Sequence, residues 1–151
     1  MTQAINVCVL NSGDADLLRS INNLFARVFD EPQDPLAPRP DKSYLTQLLA
    51  RDSFIAVAAL GDGHVVGGIT GYLLPKAGET TSELYLYDLA VDADWRRCGV
   101  ASAMIERLKQ VAREKGAAGI FVQADVEDAP AIALYSRYSA RRDVLHFELE
   151  V

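Results

Sequence analysis

The sequence has few of the residues that build metal centres and disulfide frameworks. Its 151 residues include two cysteines, Cys8 and Cys98, and two histidines, His64 and His146. These four residues form no CxxC pair and no zinc-ligand spacing, so the sequence predicts no bound metal and a reducing compartment. The longest apolar run covers residues 54–60, which is far short of the roughly 18 residues that a membrane-spanning helix needs.

Positive charge is also scarce. Lysine and arginine number 15 against 21 aspartate and glutamate residues, so the net charge is −6. This balance argues against a general nucleic-acid binder, whose surface is normally basic, and favours a positively charged partner. The first residues contain no basic segment, and Asn6 and Asn11 interrupt their apolar stretch, so we expect no signal peptide and a cytoplasmic location.

The composition that remains is typical of one globular domain. Hydrophobic residues make up 50% of the chain and charged residues 24%, and a chain of this length buries about 68–70% of its unfolded surface. Apolar periodicity predicts the order strand, helix, helix, three strands, helix, strand, helix, strand. An antiparallel hairpin at residues 61–63 and a parallel crossover over residues 82–124 predict an α/β fold with a mixed sheet. The predicted strands cover residues 4–10, 54–60, 65–74, 82–91, 120–124 and 143–151.

The segment at residues 92–101 carries the clearest chemical signal. It lies between a predicted buried strand and a predicted helix, and a helix start presents free backbone N–H groups and a partial positive charge. Gly99 allows close approach of the backbone to a phosphate, and Arg96 and Arg97 add charged donors. Neither GxGxxG nor GxxxxGK[ST] is present. The segment therefore predicts a pyrophosphate-binding loop, with Trp95 packed beneath it.

Two motifs resemble the GCN5-related N-acetyltransferase (GNAT) superfamily. The first is Arg96-x-x-Gly99-x-Ala101 after Leu89-Ala90-Val91, which is similar to the acetyl-CoA signature. The second is Asp128-x-x-Ala131-x-x-Leu134-Tyr135, in which Asp128 replaces the usual Asn. Ser139-Ala140 stands where the superfamily usually has Gly-Phe, so the chain departs from the family pattern in the turn after this helix.

A longer resemblance covers roughly residues 44–150, through FIAVAAL, VVGG, GYLLPK, SELYLYDLAV, RRCGVA, VQADVEDAPAIALYSRY and HFELE. These segments are similar to the type I aminoglycoside 3-N-acetyltransferases. The resemblance implies a single GNAT domain over residues 1–151, with a mixed, mostly antiparallel sheet of six to seven strands flanked by about four helices. It also implies a homodimer that acetylates the 3-amino group of gentamicin-like antibiotics, using acetyl-CoA as co-substrate and conferring resistance.

The resemblance also assigns roles to residues. The backbone of Leu89, Ala90 and Val91 would pair with the pantetheine arm, and a backbone N–H there would stabilise the oxyanion. Tyr135 would act as the general acid that protonates the leaving thiolate. Asp88, directly before these three residues, is the candidate base for the acceptor ammonium. The loop and helix start that would hold the cofactor, together with Asp128, comprise Arg96, Arg97, Cys98, Gly99, Val100 and Ala101.

A polycationic acceptor needs several carboxylates, because an ammonium buried without a partner is costly. Asp125, Glu127 and Asp128 follow the fifth predicted strand, where ligands gather in open α/β sheets. Asp88, Glu83 and Tyr87 on the preceding strand are further candidates for binding substrate. Three acidic residues of the proline-rich loop, residues 30–41, would add to an acidic funnel, namely Asp30, Glu31 and Asp34.

Other interpretations remain open. The same reaction on another amine, such as a polyamine, a small metabolite or a protein amine, fits the same residues. A non-catalytic acyl-CoA-binding module would keep Arg96, Arg97 and Gly99 but would have no use for Asp88 and Tyr135. An ATP-binding domain is disfavoured, because the phosphate-loop lysine and a metal-binding carboxylate pattern are missing.

Overall fold

The computed structural model describes residues 3–30 and 36–151. This part of the chain contains four α-helices, α1 Ala15–Phe29, α2 Lys42–Leu49, α3 Val100–Glu114 and α4 Ala129–Ser136. It also contains five strands, β1 Ile5–Val9, β2 Phe54–Gly61, β3 His64–Pro75, β4 Ser82–Val91 and β5 Ala117–Val122. A short 3₁₀ helix, Ala93–Trp95, precedes α3. None of the described helices is both long and apolar enough to cross a lipid bilayer.

The five strands form one sheet in the order β1-β2-β3-β4-β5. Neighbours from β1 to β4 are antiparallel, and β4 and β5 are parallel. The predicted hairpin is confirmed: Asp62 and Gly63 both have positive φ, 51° and 78°, as a two-residue type I′ turn requires. The α3 helix connects β4 to β5, so the predicted parallel crossover and the mixed, mostly antiparallel sheet are confirmed as well.

Each face of the sheet is covered by helices. The α3 helix packs one face, where Leu84 and Leu86 of β4 meet Met104 and Leu108 of the helix. The α1 and α2 helices cover the opposite face, where Leu18, Ile21 and Leu24 of α1 lie in a second buried cluster. Spacing of three and four residues places apolar side chains on one side of a helix. The sheet is therefore the middle layer, and a site on either face lies under a helix.

The prediction of six to seven strands is too high for the described residues. Residues 143–151 alternate apolar and polar side chains, but they form no strand, and residues 136–151 are all exposed. Alternation tells which side chains share a face of an extended segment, but it does not supply a neighbouring strand. No other strand of the described chain pairs with this segment, so the predicted last strand is wrong for the single chain.

Candidate active site

An irregularity in β4 determines which side chains face the α1 and α2 helices. Asp88 pairs with Thr70 of β3, but the next residue of β3, Gly71, pairs with Leu86. Tyr87 is therefore the extra residue of a β-bulge, and a bulge changes which face the following side chains occupy. Leu84 and Leu86 pack toward α3, whereas Tyr87 and Asp88 both line a cleft on the other face.

The cleft has a volume of about 210 Å³ and lies between the sheet and the α1 and α2 helices. Asp88 is the acidic residue among its lining side chains, and Thr70 and Tyr87 flank it on the sheet. The rest of the wall is mostly apolar and aromatic, formed by Leu18, Asn22, Phe25, Pro40, Tyr44, Leu45, Leu48, Phe54 and Tyr72. A cleft of this kind has room for a small organic group beside one carboxylate.

The β4 and β5 strands separate beside the same bulge. Their parallel ladder ends where Leu86 pairs with Val122. Among the described residues, the stretch from Tyr87 to Val91 has no strand neighbour on its β5 side. The backbone of Leu89, Ala90 and Val91 on that side is therefore available to an extended ligand, which can add to the sheet as a strand does.

The loop after β4 is fixed to the body of the protein. The N–H of Asp92 donates to the carbonyl of Val66 at 2.8 Å. Trp95 is 8% exposed and packs against Gly61 of β2, where a Cβ atom would lie 2.5 Å from the indole ring. The predicted packing of Trp95 beneath the loop is confirmed, and Gly61 makes it possible because glycine lacks a side chain.

The start of α3 has the features of an anion-binding site. Gly99 precedes the helix with φ of 81°, and no side chain caps the helix there, so its first N–H groups stay open to a ligand. Arg96, Arg97 and Cys98 are exposed in the preceding loop. The Nε atom of Arg96 donates to the carbonyl of Val91 at 3.4 Å, which holds this arginine close to the end of β4.

Arg137 is a further cation at the start of α3, and sequence reasoning missed it. Its Nη2 atom donates to the Oγ atom of Ser102, at 3.3 Å, in the first turn of that helix. Arg137 caps the end of α4, so 35 positions of sequence separate the two partners. No local pattern connects them, because their contact depends on how α4 lies against α3.

Tyr135 lies on α4. Together with Leu134, it packs at the margin of the buried cluster between the sheet and α3. Burial raises the pKa of Tyr135 to about 12, and the negative charges of Asp128 and Asp88 contribute in the same direction. The phenol is therefore protonated at neutral pH. The effect of Asp88 on Tyr135 also shows that the acidic side chain of the cleft lies within electrostatic reach of α4.

The acidic residues after β5 form a compact turn. The N–H of Asp128 donates to the carbonyl of Asp125 at 3.0 Å. The Asp128 side chain accepts from the N–H of Ala131 at 3.1 Å, which makes it the N-cap of α4. Asp125 and Glu127 are exposed at this turn. Because β4 and β5 are parallel, their carboxyl ends lie at the same end of the sheet. The carboxylates after β5 therefore lie at the end toward which β4 runs beyond Asp88.

The other acidic candidates lie away from the cleft or outside the residues that the structure describes. Glu83 lies five positions before Asp88 on β4, roughly 16 Å away along a strand, and it does not line the cleft. Asp30 is exposed at the end of α1, with φ of 46°. Glu31 and Asp34 lie outside the described residues. The structure therefore brings Asp88 and Tyr87 together and leaves Glu83 apart.

A row of aromatic rings crosses the sheet beside the cleft. Phe54 contacts Tyr72, Tyr72 contacts Tyr87, and Tyr87 contacts Tyr85, each with ring centroids 5.5 Å apart. Tyr85 stacks on Phe121 at 4.5 Å, and its hydroxyl donates to Oε1 of Gln123 at 2.9 Å. Spacing of two predicts that Tyr85 and Tyr87 share a face, but the remaining members come from three other strands and need the sheet order.

The chain belongs to the acetyltransferase (GNAT) family, whose model matches residues 18–139. The separated β4 and β5 strands, the glycine-led start of α3 and the cleft beside Asp88 are thus parts of an acetyltransferase fold. The residues of the cofactor signature, which suggested this family from the sequence, lie at the end of β4 and the start of α3.

Solved structures give a closer similarity. An aminoglycoside acetyltransferase from an uncultured soil metagenomic sample, HMB0005, is 43% identical, with a TM-score of 0.92 over 98% of this chain and 99% of that chain. A second, meta-AAC0020, was solved in complex with sisomicin and also comes from a soil metagenomic sample. It is 31% identical, with a TM-score of 0.89 over 97% of this chain and 96% of that chain.

A curated relative carries a different name. The L-2,4-diaminobutyric acid acetyltransferase of Streptomyces coelicolor is 31% identical over 105 residues, which is 68% of this chain. This chain matches 60% of that relative's length. The comparisons therefore agree on the family and differ on the amine that the related proteins acetylate.

Proposed function

We propose that this protein transfers the acetyl group of acetyl-CoA to a primary amine, namely the 3-amino group of an aminoglycoside, and thereby confers antibiotic resistance. One observation carries the proposal. The bulge at Tyr87 turns Asp88 into the cleft at the point where the β4 backbone is free of β5. Asp88, which would bind the amine, therefore adjoins the open backbone edge of β4, which would bind an extended thioester ligand.

The residues present fit acetyl-CoA, which supplies the thioester-bound acetyl group. The free backbone edge at Leu89, Ala90 and Val91 binds the pantetheine arm, and a backbone N–H of this edge stabilises negative charge on the thioester oxygen. The uncapped N-terminus of α3, from Gly99 through Val100 to Ala101, binds the pyrophosphate together with the Cys98 backbone and the guanidinium groups of Arg96 and Arg97. Asp128, as the N-cap of α4, holds that helix beside the cofactor.

Two side chains manage the protons. Asp88 accepts a proton from the acceptor ammonium, directly or through one water molecule, so that the amine becomes nucleophilic. Tyr135 holds a proton on its hydroxyl at neutral pH, because its pKa is raised to about 12, and donates it to the leaving sulfur. Neither Cys8 nor Cys98 acts as a nucleophile, because the reaction is a direct transfer.

The shape and charge of the acceptor site favour an amino sugar. A cleft of about 210 Å³ holds one ring beside Asp88, and the exposed ring of Tyr87 lies next to it. Asp125 and Glu127 lie at the same edge of the sheet, where they bind ammonium groups on further rings. We keep Glu83 as a peripheral candidate on the far end of β4. Solved relatives with aminoglycoside acetyltransferase names support this assignment.

Acetylation of diaminobutyrate is the second candidate, because a curated relative carries that name. The substrate of that reaction has a carboxylate as well as two amines. None of the described residues that line the cleft is basic, and Asp88 is acidic. An α-carboxylate placed there would lack a cationic partner and would lie near a like charge. The cleft therefore favours an acceptor that carries amines and no carboxylate.

The test is thiol release from acetyl-CoA with gentamicin, sisomicin, spermidine, diaminobutyrate and a lysine peptide as separate acceptors. We expect fast release with the two aminoglycosides, and NMR of the product identifies the acetylated nitrogen. Faster release with diaminobutyrate, spermidine or the peptide would overturn the aminoglycoside assignment. Acetyl-CoA binding without turnover of any acceptor would favour the non-catalytic module.

Four further expectations from the sequence belong to this proposal. The protein acts in the cytoplasm, as a homodimer, without a metal ion and without a nucleic-acid partner. The net charge of −6 supports a cationic substrate, and the family resemblance supports the dimer. Equilibrium dialysis against metal ions and light scattering measure the metal content and the assembly directly.

A further inference from the structure

One face of β5 is left open by the helices. Ile120 and Val122 pack toward α3, so alternation directs Gly119 and Phe121 to the opposite face. Among the described elements, the principal packing partners of β5 are β4 and α3. A Cβ atom added at Gly119 would meet nothing within 4 Å. The α1 and α2 helices, which pack on the earlier strands, therefore leave room over the β5 end of their face.

A stacked aromatic pair occupies this open face. The rings of Tyr85 and Phe121 have centroids 4.5 Å apart and planes that differ by 12°. The Tyr85 hydroxyl donates to Oε1 of Gln123 at 2.9 Å, so the amide N–H groups of Gln123 remain as donors for a ligand. Gln123 is exposed, and an incoming hydroxyl group can reach it. We call Tyr85, Phe121 and Gln123 the β5 platform.

The β5 platform continues the wall of the cleft. Tyr87 belongs to the lining of the cleft, and its ring centroid lies 5.5 Å from that of Tyr85. Burial raises the pKa of Tyr85, and the charges of Tyr87 and Asp88 act in the same direction. The carboxylate of the cleft therefore lies within electrostatic reach of the platform. A molecule that is seated beside Asp88 and is longer than one ring meets the platform next.

The charged side chains around the platform are acidic. Glu83 lies two positions before Tyr85, roughly 7 Å along the strand, and side chains two positions apart share a face. It pairs with Gly119 of β5 and is exposed. Neither β4 nor β5 contains a lysine or an arginine. The platform therefore complements a ligand that carries positive charge.

We propose that the β5 platform binds a second ring of the acceptor, an amino sugar, while the ring that is acetylated lies in the cleft. This inference rests on the proposed function and adds the residues that select acceptors of more than one ring. The apolar C–H face of the sugar packs on the rings of Tyr85 and Phe121. A hydroxyl group of the same ring accepts from Gln123, and an ammonium group lies near Glu83. A linear polyamine has no ring face for the aromatic pair and no hydroxyl group for the amide.

The first test varies the acceptor. 2-Deoxystreptamine is a single ring, whereas sisomicin carries amino sugars on that ring. For the wild-type chain we expect kcat/KM to be about tenfold higher with sisomicin or more, because the added ring buries apolar surface on the platform. Equal kcat/KM values for the two acceptors would overturn the proposal.

The second test removes the platform. Phe121→Ala is expected to raise KM for sisomicin about tenfold and to leave KM for 2-deoxystreptamine and for acetyl-CoA unchanged. Gln123→Ala, at an exposed side chain, is expected to raise KM for sisomicin about threefold, again without an effect on the single ring. Phe147→Ala, at a phenylalanine that is 76% exposed and lies outside β4 and β5, is the matched control and keeps all three values.

The outcomes separate this proposal from the proposed function. Wild-type KM for sisomicin in both platform variants, or an equal rise for sisomicin and 2-deoxystreptamine, would overturn the platform and leave acetyl transfer to aminoglycosides standing. Calorimetry of sisomicin binding without acetyl-CoA makes the same comparison in the absence of transfer. An unchanged dissociation constant in Phe121→Ala would overturn the platform there as well. A changed mass in light scattering with unchanged sisomicin binding would assign the patch to an interface between copies and likewise overturn it.

Discussion

Tyr87 and Asp88 are neighbours in sequence, and yet both face the same side of the sheet. In a regular strand one of them would point toward α3, because successive side chains alternate. The bulge removes that alternation and places a carboxylate against an aromatic ring in one cleft. Beyond the bulge, Ala90 joins the cluster under α1 and α2, whereas Leu84 and Leu86 belong to the cluster under α3. One inserted residue therefore determines which side chains of β4 line the cleft that we propose as the acceptor site.

Tyr87 should contribute to acceptor binding more than to chemistry. Its ring is 55% exposed beside the cleft, so Tyr87→Ala removes contact area without opening the core. We expect KM for a multi-ring aminoglycoside to rise about tenfold with little change in KM for acetyl-CoA. Tyr138→Ala, at an exposed tyrosine just after α4, is the control. An unchanged acceptor KM would show that the rings do not lie over Tyr87.

Gly99 should be required for the shape of the phosphate loop. Its φ of 81° lies in the left-handed region, which costs other residues about 1–2 kcal/mol. Gly99→Ala is expected to lower the unfolding free energy by about 1 kcal/mol and to raise KM for acetyl-CoA several-fold. Gly78→Ala is the matched control, because Gly78 has no positive φ and a Cβ atom added there would meet nothing within 4 Å. Equal effects of both substitutions would contradict this role.

Arg137 should add to cofactor affinity. It donates to Ser102 in the first turn of α3, so its charge lies near the N–H groups that we propose bind the pyrophosphate. Arg137→Ala is expected to weaken coenzyme A binding about tenfold, measured by calorimetry, and Arg137→Lys to restore part of it. Arg113→Ala, at an exposed arginine in the last turn of α3, serves as control. Identical affinities for the two alanine variants would remove Arg137 from the site.

Tyr135 should stay protonated far above neutral pH. Burial and the charges of Asp128 and Asp88 raise its pKa from 10.0 to about 12, so kcat should show no loss from Tyr135 ionisation up to about pH 10. The folded chain holds this proton more tightly than the unfolded chain. The associated stability is complete below about pH 10 and is lost as pH rises toward about 12.

Ultraviolet titration of tyrosinate checks this pKa. Burial also raises the pKa of Tyr72 and the pKa of Tyr85, so the wild-type spectrum should contain more than one late-ionising tyrosine, and Tyr135→Phe should remove the one that ionises last. The same substitution should lower kcat and leave coenzyme A binding unchanged, with Tyr138→Phe as control. A Tyr135 that ionises near its ordinary pKa, or a Tyr135→Phe variant with full kcat, would contradict its role as the acid.

Local signals in the sequence predicted the parts of the site that depend on local structure. The loop at residues 92–101 was recognisable because Gly99, Arg96 and a helix start follow one another in the chain. The bulge was not recognisable from the sequence, because SELYLYDLAV is a continuous strand pattern. The extra residue appears only when β4 is paired with β3. The contact of Arg137 with Ser102 likewise depends on how two distant helices meet.

Residues 143–151 show the opposite case. The alternation of Leu145, Phe147 and Leu149 predicted a strand, and the single chain forms none. An alternating pattern indicates which side chains share one face of an extended segment, but a strand also needs a neighbouring strand to hydrogen-bond its backbone. No described strand supplies that neighbour, so alternation alone does not make residues 143–151 a strand.

The most direct test of the account is acetyl transfer by the Asp88→Asn variant, with acetyl-CoA binding measured on the same sample. Asparagine keeps the size of the side chain but cannot accept the ammonium proton, so we expect kcat/KM for the aminoglycoside to fall about 10²–10⁴-fold. Acetyl-CoA affinity should be unchanged, and Asp52→Asn, at an exposed turn before β2, should have full activity. An Asp88→Asn variant that acetylates at the wild-type rate would contradict the central claim.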